Sequence, residues 1–192
     1  MNSNRIFTGF ILLGGTSLAQ AHTGVQTLYT LQEGLLHPFL GIDHFLVMLT
    51  IGVWASMQRG RALWVLPLSF MVFMALGASL ERIGVHTDFA EIAVMLSLLL
   101  MGCVMWTKRQ FTLPSALLLT SVIAISHGYV HASEFHDNND FLPYASGFLI
   151  STWLLHLLGL ILGVWATKHF LRLPRGLSIL CTAVGFSLLA NI

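Results

Sequence analysis

Charge is what this chain has least of. Only 9% of its 192 residues are Asp, Glu, Lys or Arg, against about 25% in an ordinary soluble domain. A chain this poor in charge cannot cover itself with a water-facing surface, which excludes the soluble globular classes. Its net charge of +1 is divided between two faces rather than pooled, so it presents no basic patch to nucleic acid. Cysteine is also scarce: Cys103 and Cys181 each lie in a long apolar run. That placement argues for two small core residues, not a disulfide framework or a thiolate metal site. The chain contains no G-x-x-x-x-G-K-[ST] loop to cradle ATP and no H-E-x-x-H helix. What it has in abundance is apolar surface, 56% hydrophobic residues with a mean hydropathy of +0.80. It reads as an integral membrane protein.

The start of the chain reads as a cleaved signal peptide over 1–21. Arg5 supplies a positive start, Ile6 to Leu18 an apolar run, and Ala19-Gln20-Ala21 a small-x-small cleavage pattern. Cleavage there would make His22 the mature N-terminus, with an amine and a ring nitrogen able to chelate together. Residues 22–192 then form one domain with six apolar runs, at about 36–57, 62–80, 89–107, 112–131, 141–167 and 176–192. Spans are about 20 residues long, so the expected fold is all-α, a six-helix transmembrane bundle. Small residues (Gly77, Ala78, Ser79, Gly147, Gly159, Gly163) would let its helices approach closely.

The charges orient this bundle. Arg59 and Arg61, Lys108 and Arg109, and Lys168, Arg172 and Arg175 occupy alternate loops, which the positive-inside rule makes cytoplasmic. Both mature termini are then periplasmic. All eight acids fall at or near the outer side, and the histidines follow them. His22, His37, His44, His86, His127, His131 and His136 map to the outer half, His156 lies deeper, and His169 is alone inside. An acidic, imidazole-rich vestibule in an apolar bundle concentrates divalent cations, and its ligands suit a borderline metal ion.

Two clusters carry the chemistry. The first, His37-Pro38-Phe39-Leu40-Gly41-Ile42-Asp43-His44, opens the first span, with Pro38 suited to a first helical turn. On a continuous helix, residues seven apart are separated by about 10 Å along the axis. His37 and His44 would then line successive points of a path, unless a break at Gly41 brings them together. Asp43 is either a ligand or the partner of the His44 ring. The second cluster closes the fourth span, where His127, His131 and Glu134 share one helical face. Glu91 opens the third span. His156, near the midplane, is either a hydrogen-bonded core histidine or a deeper stop for an ion. Met48, one turn beyond His44, reads as core filler, and His86, His136 and His169 as loop residues.

His37-Pro38-x-x-Gly41-x-Asp43-His44 followed by Met48 resembles the signature of the HupE/UreJ family, the hydrogenase/urease accessory membrane proteins. His127-Gly128-x-x-His131-x-x-Glu134 resembles its second histidine motif, and Ala21-His22-x-Gly24, Glu91-Ile92-Ala93 and the His156 stretch are similar too. Ala132 departs from the glycine expected there, and the turn between the fourth and fifth spans is unusually acidic. The resemblance covers essentially the whole mature chain. It implies a bacterial inner-membrane nickel or cobalt permease, not an enzyme, serving metalloenzyme maturation or cobalamin synthesis. Metallochaperones or nickel-enzyme maturation proteins are its implied partners. Under this reading His22, His37, Asp43, His44, Glu91, His127, His131, Glu134 and His156 are metal ligands. Ni²⁺ or Co²⁺ is then cargo, with no tightly bound cofactor. The rival reading is an integral-membrane metalloenzyme built on the same ligands.

Overall fold

A computed structural model describes residues 25–135, 141–169 and 172–191, so the segment expected to be a signal peptide, His22 and His136 lie outside the described residues. The described residues form seven α-helices: α1 (Val25–Leu40), α2 (Ile42–Gln58), α3 (Ala62–Arg82), α4 (Ala90–Thr107), α5 (Leu113–Glu134), α6 (Phe141–His169) and α7 (Leu173–Leu189). Local chemistry sets several boundaries. The Thr112 side chain accepts the Ser115 amide at the start of α5, and prolines occupy the first turns of α5 and α7. Arg59 and Lys108 close α2 and α4 at positive φ.

Four helices, α3, α4, α5 and α6, are each long and apolar enough to cross a membrane, and α1 with α2 qualifies as a fifth, broken span. The shorter α7 is apolar as well. Helix α3 shows why such segments need lipid. It buries Leu66, Phe70, Met74 and Gly77 on one side while Leu68, Val72 and Leu76 stand exposed on the other. A helix apolar all round has no face for water.

Five of the six apolar runs match helices to within three residues at each end, where the end is described. The first does not. A helix starting near His37 is expected from the sequence, whereas α1 begins at Val25 and His37 lies in its last turn. Pro38 sits inside that last turn, not in a first one, and its missing N–H removes a hydrogen bond just before the helix stops. Gly41 then takes an extended conformation (φ −99°, ψ 119°), and α1 and α2 meet at 81°. The Gly41 carbonyl starts the next ladder by accepting the Phe45 amide at 3.0 Å. Asp43 sits in the first turn of α2, where a carboxylate suits the positive end of the helix. Its Oδ1 accepts the His44 amide at 2.9 Å.

The main packed pairs are α3 with α5, α2 with α6, α1 with α6, and α4 with α7. Glycine permits backbone-to-backbone contact in each. A methyl on Gly128 would strike the Met74 carbonyl, and one on Gly77 the Ile125 carbonyl. Gly52 and Gly159 do the same for α2 and α6, Gly34 and Gly147 for α1 and α6, and Gly102 meets the Ser178–Thr182 side of α7. Small residues at helix contacts are a recurrent membrane solution, since hydrocarbon gives helices no hydrophobic reason to associate.

The turns sort by charge. Gln58 of α2 donates to the Arg109 carbonyl at 3.0 Å and accepts the Phe111 amide at 2.8 Å, tying the α2–α3 and α4–α5 turns side by side. Arg175 lies over the Trp106 ring at that same end. The opposite end holds the α3–α4 loop, whose Thr87 amide donates to Tyr129 Oη at 3.0 Å. The basic turns thus share one end of the bundle, and the acidic, histidine-rich segments share the other. Both cysteines are free. Cys181 is buried as expected, but Cys103 is exposed on the outer surface of α4 rather than in the core.

Candidate metal centre

The break at Gly41 decides the geometry of the site. It turns α2 back so that the rings of His37 and His44 lie 6.1 Å apart, centre to centre, much closer than two turns of straight helix would allow. Helix α5 adds His131, whose ring is 4.1 Å from His44 and 4.9 Å from His37. One ring nitrogen from each of the three lies within 4.8 Å of the others. Imidazole nitrogens bound to one tetrahedral ion with bonds near 2.0–2.1 Å stand about 3.3 Å apart. A modest inward swing of the rings therefore closes the set.

Two carboxylates border this trio. Glu134 Oε2 lies 3.4 Å from His37 Nε2 and 3.4 Å from His131 Nδ1, bridging α1 and α5. Asp43 Oδ1 lies 3.6 Å from His44 Nε2. Tyr144 of α6 places its hydroxyl 3.0 Å from His37 Nδ1. Both His37 nitrogens are thus engaged, and a metal bond at either would be made by exchange. Glu134, 47% exposed, is placed to turn from the His37 and His131 rings to an ion. Asp43 and Glu134 together carry two formal negative charges, which match a dication and leave no net charge at the edge of the apolar region.

Below the trio the site loses its carboxylates. His127, one turn before His131, approaches His44 at 5.6 Å between ring centres. Phe70 of α3 contacts His127 at 6.0 Å and His156 of α6 at 4.9 Å. His127 and His156 are both fully buried. Met48 is buried as core, as expected, yet it also touches this chemistry. Its carbonyl accepts from His156 Nδ1 at 2.7 Å, and its Sδ accepts the Thr152 hydroxyl at 3.3 Å.

Of the nine residues expected from the sequence as ligands, His37, Asp43, His44, His131 and Glu134 come together. His127 and His156 continue inward from them, and His22 lies outside the described residues. Glu91 stands apart. It is exposed and lines a separate polar pocket with His86, Thr87, Asp88, Tyr129 and Ser133. Sequence reasoning missed Tyr144, Phe70 and Arg82. A tyrosine one turn into an outer helix end was the available signal for the first.

Arg82 acts at a distance. Its Nη2 donates to the Phe135 carbonyl at 2.9 Å, and its guanidinium sits 4.0 Å over the Phe141 ring. Phe135 stacks on Tyr144 at 4.5 Å. Arg82 therefore clamps the corner that presents both Glu134 and the hydroxyl on His37. Arg82→Gln is expected to weaken Ni²⁺ binding by roughly tenfold, the low end for losing a ligand's supporting partner. Calorimetric titration of the folded variant checks this, and an unchanged affinity would remove Arg82 from the site.

The architecture and the site define a class: an all-helical, multi-pass membrane protein that gathers imidazoles and carboxylates at one end of its bundle. Residues 10–188 match the HupE / UreJ protein family, and the chain belongs to it. It is 35% identical over 160 residues to Protein HupE of Rhizobium leguminosarum bv. viciae, covering 83% of each chain. No solved structure matches it.

Proposed function

We propose that this protein carries Ni²⁺, or Co²⁺, inward across the bacterial inner membrane. The observation that carries the reading is the convergence of His37, His44 and His131 from three helices, bordered by Asp43 and Glu134. Imidazole with carboxylate favours late first-row divalent ions. Sharing the site among three helices and exchangeable partners suits an ion that must leave again. In this reading α1 with α2 forms one broken span and α7 a sixth, and the signal is removed after Ala21. The acidic end faces the periplasm with both mature termini, and the basic turns face the cytoplasm. His22 and Glu91 serve as outer capture ligands. The membrane potential supplies the drive, since a dication gains about 4.6 kcal/mol per 100 mV at about 2.3 per charge. Delivery is to nickel-enzyme maturation or cobalamin synthesis.

The test is uptake into proteoliposomes holding the purified protein under an inside-negative potential, with Ni²⁺, Co²⁺, Zn²⁺ and Mg²⁺ compared. Saturable uptake of Ni²⁺ or Co²⁺, with Mg²⁺ excluded, is the expected result. Tight stoichiometric binding with no flux of any ion would overturn the transport reading.

A further inference from the structure

Two fully buried imidazoles lie beyond the outer trio, and both are held the same way. His127 Nδ1 lies 2.8 Å from the Ile123 carbonyl of its own helix, and His156 Nδ1 lies 2.7 Å from the Met48 carbonyl of α2. A carbonyl oxygen only accepts, so each bond places the ring proton on Nδ1 and leaves the lone pair on Nε2. Neither Nε2 has a hydrogen-bond partner among the described residues. A histidine kept for structure would find a partner or give way to leucine, because a buried polar atom left unpaired is costly. A ring anchored through one nitrogen with the other left bare is the arrangement of a metal ligand. The His156 bond itself depends on close contact of α2 and α6, since a methyl on Gly52 would strike the His156 carbonyl.

The two rings also share an environment unlike that of the outer trio. Both pack against the buried ring of Phe70. None of the carboxylate residues among the described residues is buried as these two rings are. The outer site pairs imidazole with carboxylate, whereas the inner rings have only neutral neighbours, the Met48 carbonyl and thioether and the Thr152 hydroxyl.

We propose that His127 and His156 are successive ligands of an inner, carboxylate-free stage, and that this stage selects which divalent cations proceed. The proposal rests on the transport reading above. Ions that favour oxygen, such as Mg²⁺ and Mn²⁺, can dwell at Glu134 and Asp43 but gain little from imidazole alone in exchange for their water. Ni²⁺, Co²⁺ and Zn²⁺ bind imidazole well enough to be drawn inward. Capture and discrimination are therefore separate in space.

The experiment compares the full-length protein with His127→Gln, His156→Gln and His156→Asp. Ni²⁺ binding is measured by equilibrium dialysis in detergent, and Ni²⁺ and Mn²⁺ uptake in proteoliposomes. His156→Gln is expected to bind Ni²⁺ at the outer site with wild-type affinity while its uptake falls at least tenfold. His156→Asp introduces a carboxylate and is expected to raise Mn²⁺ uptake relative to Ni²⁺ by about tenfold. Wild-type uptake and selectivity in these variants would overturn the proposal. Should His156→Gln lose outer binding through misfolding, His127→Gln is judged by the same criteria, because its ring is anchored within its own helix. If the unmodified protein moves no ion, the transport reading fails by itself. The inner stage is then judged by Ni²⁺ bound per chain, which must fall in the His127→Gln/His156→Gln double variant and overturns the proposal if it does not.

Discussion

Ni²⁺ uptake by a His44→Ala variant is expected to fall more than about 100-fold, beyond the 10–100-fold that follows loss of a ligand's mere supporting partner. His44 is the centre of the constellation. Its ring lies within 6.1 Å of those of His37, His127 and His131, so it belongs to the outer trio and also touches the first inner ring. Alanine removes the central imidazole and leaves Asp43 facing a gap. His169→Ala is the control, because that ring is exposed at the basic end of the bundle, against Trp165. It should transport as the unmodified protein does. Uptake of metal by His44→Ala at more than a tenth of the normal rate would place the path elsewhere.

Gly128→Ala is expected to damage both stability and transport, though it adds one methyl and touches no ligand. The added Cβ would overlap the Met74 carbonyl. Backbone cannot swing aside as a side chain can, so α3 and α5 must separate. Overpacking of this kind costs typically about 1–3 kcal/mol. The shift is transmitted to the site because His127 and His131 flank Gly128 on α5, while Phe70 stands one turn before Met74 on α3. Gly176→Ala makes the contrast. A Cβ there meets nothing, and alanine gains up to about 1 kcal/mol of helix propensity. Thermal unfolding in detergent should show a lower midpoint for Gly128→Ala and an equal or higher one for Gly176→Ala. Equal midpoints and equal uptake in Gly128→Ala would mean that close approach of α3 to α5 is dispensable.

Much of the site was legible from spacing. His127, His131 and Glu134 recur at i, i+4 and i+7, and α5 places all three toward the interior or its rim. The apolar runs located α3 to α7 because a membrane helix must satisfy its own backbone, leaving length and hydropathy as sufficient signals. The start of α1 was illegible for the converse reason. Its first half carries Gln26, Thr27, Thr30, Gln32 and Glu33, so no hydropathy run marks it. Glycine at position 41 permits a helix to continue or to break. Which of these occurs is decided by where α1 is held, and Gly34 against Gly147 docks it on α6.

Composition and pattern alone determined that this chain belongs in lipid, that α3 to α7 are helices, and that its acids and most of its histidines collect at one end. Those properties follow from local transfer free energies and helical period, and they need no knowledge of neighbours. Tertiary structure decided which histidines meet. The 81° turn at Gly41 converts two points on a line into two neighbouring imidazoles of one cluster. The docking of α2 on α6 sets the His156 proton on Nδ1 and leaves Nε2 bare. Contacts between helices distant in sequence depend on how closely their backbones approach, and no spacing within one helix encodes that distance.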